Sequence, residues 1–276
     1  MSEAPPLAGV IGWPIGHSRS PQLHGYWLRT YGLPGHYVPL AIQQKDFAEA
    51  LHVLPKLGFK GVNVTVPYKE TALALAQKVS DRAALIGAAN TIVFREDGSI
   101  HADNTDGYGF IQNLRQSSPD WSARSGPALV FGAGGAARAI VSALLAEGAP
   151  EVLLTNRTRT RAETLKDQFG AKVTVMDWNA AKSVPAEVAT VVNTTTLGMV
   201  GNPDLTVDLS ALDGTLVTDI VYTPLETPLL AQARAQGLPV VDGLGMLLHQ
   251  AVPGFESWFG KRPEVDEALR AEILGA

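Results

Sequence analysis

Cysteine is absent from the 276 residues, which excludes disulfides and thiolate metal sites and leaves no sign of an oxidising compartment, so the cytoplasm is the default location. The N-terminal Met-Ser-Glu-Ala-Pro-Pro lacks a basic segment followed by an apolar run, and no uninterrupted apolar stretch is long enough to span a bilayer. Neither a secretory leader nor membrane insertion is expected. Charge is sparse too: charged residues make up 18% and the formal net charge is -5, which gives no broad field to attract nucleic acid or an acidic membrane. Any anion site must be local. Internal repeats and low-complexity tracts are also missing. What remains is a globular composition, 46% hydrophobic, in a chain longer than a typical single domain, so two domains sharing a crevice are expected.

Residues 61–70 organise the rest. Val62, Val64 and Val66 alternate as in a buried strand, and Pro67 ends that strand while suiting a first helical turn. Asn63 and Thr65 then share one face, and Lys69 falls in the first turn of the helix. A helix N-terminus carries partial positive charge, so an ammonium there needs a nearby anion or a task that uses a lowered pKa. Glu70 supplies the anion in one reading; the other requires matching chemistry elsewhere in the chain.

Several strand ends offer such chemistry. Val10 and Ile11 lead into a Gly- and Pro-punctuated loop in which Ser20-Pro21 reads as helix cap and first turn, leaving Ser18 unexplained. Two hydroxyls on one face beside a helix start suit a carboxylate; a solvated loop is the alternative. Residues 37–40 form a further strand, followed by a helical pattern through Phe47, Leu51 and Leu54. This strand–helix–strand alternation predicts a mainly parallel sheet, whose ligands bind outside the carboxyl ends of the strands. Residues 73–85 are apolar at helical spacing, broken at Ser80-Asp81, where Asp81 is a candidate cap. A strand led in by Asn90 precedes the hairpin turn Asp97-Gly98, and the returning strand ends in a cluster that contains Asp103 and Asp106. Both carboxylates suit helix caps, but one cap suffices, and the other is available to pair with Lys69 as a proton-transfer unit.

Beyond a polar linker at residues 116–126 the composition changes. A strand at 128–131 runs into Gly132, Ala133, Gly134, Gly135 and Ala136, a tight loop that opens a helix at 137–145. This is a dinucleotide-type turn, in which backbone N–H groups and the helix dipole hold a pyrophosphate, although Ala137 takes the place of the third glycine and glycines also serve ordinary strand–helix turns. The next strand, 151–155, ends in Asn156, Arg157, Thr158, Arg159, Thr160 and Arg161 with no acid to bind a ribose hydroxyl. Arginine there suits the 2′-phosphate of NADP, with three solvated surface arginines as the alternative. Thr160 and Glu163 read as a capping box. Buried strands at 188–192 and 216–221 and a final strand–glycine–helix passage at 241–251 complete the chain; His249 lacks a metal-ligand companion at helical spacing and reads as structural.

Taken in order, residues 18–21, 63–69, 87–91, 103–107, 132–136, 156–158 and 242–246 closely resemble the shikimate dehydrogenase family. That resemblance implies an α/β protein of two domains: a mainly parallel substrate-binding sheet domain, 1–106 plus 242–276, and a Rossmann-like NADP-binding domain, 107–241, with a crevice between them. It implies that Ser18 and Ser20 bind a substrate carboxylate, that Thr65, Asn90, Asp106 and Gln250 hold ring hydroxyls, and that Lys69 with Asp106 moves the proton. It likewise gives Gly132 to Ala136 to the pyrophosphate, Asn156, Arg157, Thr158 and Arg161 to the 2′-phosphate end, and Ile220, Tyr222 and Gly243 to the nicotinamide side, with Tyr222 also near substrate. Asp81 matches a cofactor position. No metal is implied. The expected activity is reversible NADP-dependent reduction of 3-dehydroshikimate to shikimate by a monomer or homodimer, with no nucleic-acid or membrane partner. Two departures stand out: Thr194 where the family often has Ala, and Ile220 where some members have Met. An NAD-dependent quinate/shikimate dehydrogenase and a non-catalytic ligand sensor on the same fold are the rival readings.

Overall fold

The computed structural model describes residues 4–275. The chain separates into two compact units, one of Met1–Thr105 with Leu248–Ala276 and one of Asp106–Leu247.

The first unit begins β1 (Leu7–Gly12), α1 (Ser20–Thr30), β2 (His36–Ala41), α2 (Phe47–Val53) and β3 (Phe59–Val64). It continues α3 (Lys69–Leu75), β4 (Lys78–Val79), α4 (Asp81–Ile86), β5 (Thr91–Phe94) and β6 (Ile100–Asp103). Its sheet runs β2-β1-β3-β5-β6-β4, parallel at β1–β2, β1–β3 and β4–β6 and antiparallel where the β5–β6 hairpin enters. The hairpin turns at Gly98, whose φ of +81° is open to glycine at no steric cost. Period-two alternation divides β3: Val62 and Val64 join Ile11, Phe47, Leu51 and Ile92 in one apolar cluster, which leaves Asn63 on the other face. Phe47 stacks on Tyr68 with centroids 4.5 Å apart. A side chain at Gly61 would strike both the Ile92 carbonyl and the Trp258 indole, so only glycine lets Trp258 Nε1 donate to Ile92 O at 3.0 Å.

Three local expectations change here. The helical pattern expected over 73–85 is divided by β4, because Lys78 and Val79 pair as an edge strand with β6 while the Ile100 amide donates to Gln77 Oε1. Asp81 is the first residue of α4, not its cap: Ser80 takes that position and accepts from the Ala83 amide. At α1, Arg19 occupies the cap position and Ser20 is already helical, with its amide donating to Ser18 Oγ at 3.3 Å.

The second unit comprises α5 (Asp106–Ser117), β7 (Ala128–Phe131), α6 (Gly135–Ala146), β8 (Val152–Thr155), α7 (Arg159–Phe169) and β9 (Val173–Val175). It goes on through β10 (Thr190–Asn193), β11 (Leu216–Asp219), α8 (Pro228–Ala235) and β12 (Val240–Val241). The helix α9 (Leu244–Phe259) carries the chain back into the first unit, which ends with α10 (Glu267–Leu274). The second sheet is parallel throughout, in the order β12-β11-β10-β7-β8-β9. This is the doubly wound dinucleotide-binding order, with its switch point between β7 and β10. Its strands are buried on both faces: Val130, Leu154 and Val192 pack with Ile140 on one side, while Leu129, Phe131, Leu153 and Val191 pack with Leu229 and Leu230 on the other.

The capping box expected at Thr160 is also displaced. Thr158 occupies the cap position of α7 without a side-chain cap bond, and Glu163 accepts from Arg159 Nε at 2.8 Å, a helical i,i+4 pair.

Candidate active site

In the first unit, polar groups gather where the parallel strands end. Ser20 and Asn90 are buried, while Ser18, Thr65, Lys69 and Gln250 are half-buried. Thr65 follows β3 directly, and its methyl group rests where a Cβ on Gly12 would stand, so the glycine makes room for it. Lys69 is the first residue of α3, and its carbonyl accepts from the Ala89 amide at 2.8 Å, which ties the helix start to the approach to Asn90. Asn90 Nδ2 donates to Gln250 Oε1 at 3.4 Å, and Asn90 Oδ1 accepts from the Thr105 amide at 2.9 Å.

The two candidate carboxylates separate cleanly. Asp103 accepts from Ser80 Oγ at 2.6 Å and from Arg82 Nε at 2.7 Å, and Arg82 Nη2 also bonds Asp103 Oδ2. Burial pushes this carboxyl up, but the hydrogen bonds from Arg82 and Ser80 outweigh it and hold the pKa below the usual carboxylate range. Asp103 therefore belongs to the α4 clamp. Asp106 is buried as the first residue of α5 in the second unit.

The loop that follows β7 has the form a dinucleotide phosphate requires. Gly132 has φ +112°, and any side chain there would collide with the Thr194 hydroxyl. Thr194 donates to Phe131 O at 2.7 Å, which sets its hydroxyl against Gly132 at the start of the loop. A Cβ added at Gly134 or Gly135 would meet nothing within 4 Å, and Gly134, the cap residue of α6, offers no side-chain cap. Open space thus flanks the bare glycine backbone at the uncapped start of α6, which fits a pyrophosphate.

At the end of β8, Asn156 Nδ2 donates to Thr158 O at 2.8 Å. Arg159 is engaged by Glu163, whereas Arg157 and Arg161 are exposed with no ion-pair partner among the described residues. Ile220 and Tyr222 are half-buried after β11, and Gly243 is required beside them because a side chain there would strike the Ile220 carbonyl. Asp81 lies exposed in the first unit, apart in sequence from every other cofactor candidate. Among the described residues no group of three or more His, Cys, Asp or Glu could hold a metal ion.

Two clusters escaped the sequence reading. In the second unit Asp219 is 1% exposed and accepts from Asn193 Nδ2 at 3.0 Å, Thr227 Oγ1 at 2.8 Å and the Val221 amide at 2.9 Å. Burial raises its pKa. Asn193 in turn accepts from Thr195 and donates to Leu197 O, so one buried carboxylate fixes the loops after both β10 and β11. In the first unit His24, Tyr37, Asn63 and Thr91 form a buried set beneath Asn90. The available signal was a polar residue within an otherwise buried strand, Asn63 in β3 and Asp219 in β11.

The chain matches the shikimate dehydrogenase substrate binding domain over residues 10–92, shikimate / quinate 5-dehydrogenase over 115–200 and the shikimate 5′-dehydrogenase C-terminal domain over 243–271. The shikimate dehydrogenase (NADP(+)) of Dinoroseobacter shibae is 64% identical over 270 residues, covering 98% of this chain and 97% of that one. Shikimate 5-dehydrogenase from Listeria monocytogenes, solved in complex with shikimate and NAD, superposes with a TM-score of 0.90 at 30% identity, covering 99% of this chain and 98% of that chain. Quinate dehydrogenase from Corynebacterium glutamicum in complex with NAD gives a TM-score of 0.89 at 33% identity, over 98% of this chain and 99% of that chain. Matches of this extent, over the same strand ends that carry the polar groups described above, establish that the chain belongs to the shikimate dehydrogenase family.

Proposed function

We propose that the chain reduces 3-dehydroshikimate to shikimate with NADPH, and oxidises shikimate with NADP in reverse. The observation that carries the reading is the nearly full-length 64% identity with a shikimate dehydrogenase (NADP(+)). The absence of an acid at the end of β8, where Asn156 and Arg157 stand, supports NADP over NAD.

In this reading the first unit binds the substrate: Ser18 and Ser20 hold its carboxylate, and Thr65, Asn90 and Gln250 hold ring hydroxyls together with Asp106 and Tyr222. The second unit holds NADP. Gly132, Ala133, Gly134, Gly135 and Ala136 take the pyrophosphate, Asn156, Arg157, Thr158 and Arg161 the 2′-phosphate end, and Ile220 and Gly243 the nicotinamide side. Asp81 is assigned to the cofactor on the family resemblance, its alternative role as the α4 cap being filled by Ser80. NADP, when bound, supplies or accepts the hydride. As the carbinol carbon of shikimate becomes a carbonyl its hydroxyl proton must leave, and Lys69 Nζ takes it while Asp106 orients the pair. In reduction the Lys69 ammonium returns that proton to the carbonyl oxygen. Location in the cytoplasm and action as a monomer or homodimer belong to the same proposal, and size-exclusion chromatography with light scattering distinguishes the two states.

Reduced-nicotinamide absorbance, followed with shikimate and quinate and with NADP and NAD, tests the reading. Fastest turnover with shikimate and NADP is expected. Preference for quinate with NAD would establish the rival dehydrogenase, and no turnover in any combination would establish a ligand sensor.

A further inference from the structure

Beneath Asn90 the first unit holds a string of buried hydrogen bonds whose direction the backbone fixes. Asn63 Nδ2 lies 3.1 Å from the Asn90 carbonyl oxygen, which only accepts, so the Asn63 amide is oriented with Oδ1 toward Tyr37. The Tyr37 hydroxyl, 2.7 Å away, must then donate. At the other end the Thr105 backbone amide, which only donates, lies 2.9 Å from Asn90 Oδ1, so Asn90 turns its Nδ2 toward Gln250. Thr91 Oγ1 joins the two: it accepts from Asn63 Nδ2 at 3.3 Å and donates to Asn90 Oδ1 at 2.9 Å. Asn63 and Thr91 are direct cross-strand partners in the β3–β5 ladder, which sets the register of the relay. Tyr37 itself is held by stacking on His24, with ring centroids 3.9 Å apart and planes 4° apart.

We propose that Tyr37 is a positioning residue for substrate recognition: its hydroxyl, on a ring stacked against His24, holds Asn63 and through Thr91 steadies the side chain of Asn90, whose N–H donors the Thr105 amide turns outward to meet a ring hydroxyl. The proposal rests on the shikimate reading given above. Without the hydroxyl, Asn63 Oδ1 is buried without its Tyr37 donor, and the Asn63 side chain loses the bond that holds its Nδ2 against the Asn90 carbonyl and Thr91 Oγ1. The disturbance passes to Asn90 and stops short of the dinucleotide loop, which belongs to the other unit.

Steady-state kinetics of Tyr37→Phe, which keeps the ring stacking, test this. The loss of one net hydrogen bond predicts a rise in shikimate KM of about three- to tenfold, with NADP KM unchanged and kcat altered by less than about twofold. In an Asn90→Ala background the same substitution should change shikimate KM by less than about twofold, because the residue through which it acts is gone. Thr91→Val removes the relay at its middle and should reproduce the split if Tyr37→Phe fails to fold, while Thr91→Ser, which keeps the hydroxyl, should restore wild-type KM. An unchanged shikimate KM in folded Tyr37→Phe, an equal rise in both KM values, or full multiplicativity with Asn90→Ala would each overturn the positioning role. Absence of shikimate turnover by the wild type, run alongside, would overturn the functional reading and this inference together.

Discussion

His24 stacks face to face on Tyr37 while its two ring nitrogens have no hydrogen-bond partner among the described residues. Burial pushes its pKa down to about 3, with the nearby Asn63 side chain offsetting only part of the shift. In the unfolded chain the same imidazole titrates near 6.5. As pH falls through 6.5 only the unfolded state takes up the proton, so stability is lost progressively until the folded state protonates near 3.

At roughly 1.4 kcal/mol per pH unit, His24 should cost the fold about 2 kcal/mol between pH 7 and pH 5. His24→Phe keeps an aromatic partner for Tyr37 and has no proton to bind. Urea unfolding at the two pH values should show the wild type losing about that much more stability than the variant; equal losses would mean that His24 is reached by protons in the fold.

Arg157→Ala with Arg161→Ala should weaken NADP by a hundredfold or more, since each charge-assisted hydrogen bond contributes about 1.5–3 kcal/mol. NAD should be little affected. Arg159→Ala serves as the control, because that side chain is held by Glu163. Fluorescence titration with both cofactors decides, and retained NADP preference in the double variant would place the phosphate elsewhere.

Ser18 Oγ already accepts from the Ser20 amide, which leaves its own O–H as the donor to an incoming anion. Replacing Ser18 and Ser20 together by Ala should raise shikimate KM about tenfold or more while NADP binding stays constant, at about 0.5–1.5 kcal/mol per donor. A constant shikimate KM would return both serines to the role of loop and helix start.

Lys69→Ala should lower kcat by roughly 10²–10⁴, the usual range for loss of a general acid or base, with NADP binding retained. Asp106→Ala should reduce both kcat and shikimate binding, since in the proposed site the same carboxylate also holds a hydroxyl. The double variant should be little worse than the poorer single one, because residues acting as one unit fail together. Near wild-type kcat in a folded Lys69→Ala protein would remove Lys69 from the chemistry.

The sequence by itself determined the elements that local patterning encodes. Val62, Val64 and Pro67 placed a buried strand before Lys69, and Asp97-Gly98 placed the β5–β6 hairpin, because period-two burial and turn chemistry are written in consecutive residues. The alternation of strands and helices after residue 128 likewise announced the parallel sheet and its glycine loop. Tertiary structure alone decided which polar groups would meet. Asp103 could have served Lys69 as readily as Asp106 on spacing, until Arg82 and Ser80, more than twenty residues earlier, claimed it. Ser80 rather than Asp81 became the α4 cap because β4, an edge strand too short to leave a pattern, sets where the helix begins. Asn63 looked like one polar residue on a strand face, yet its orientation is fixed by Tyr37 and by the backbone of Asn90, 26 and 27 residues away. Burial makes every unpaired polar group costly, so partners are chosen by the fold across distances that no sequence window spans.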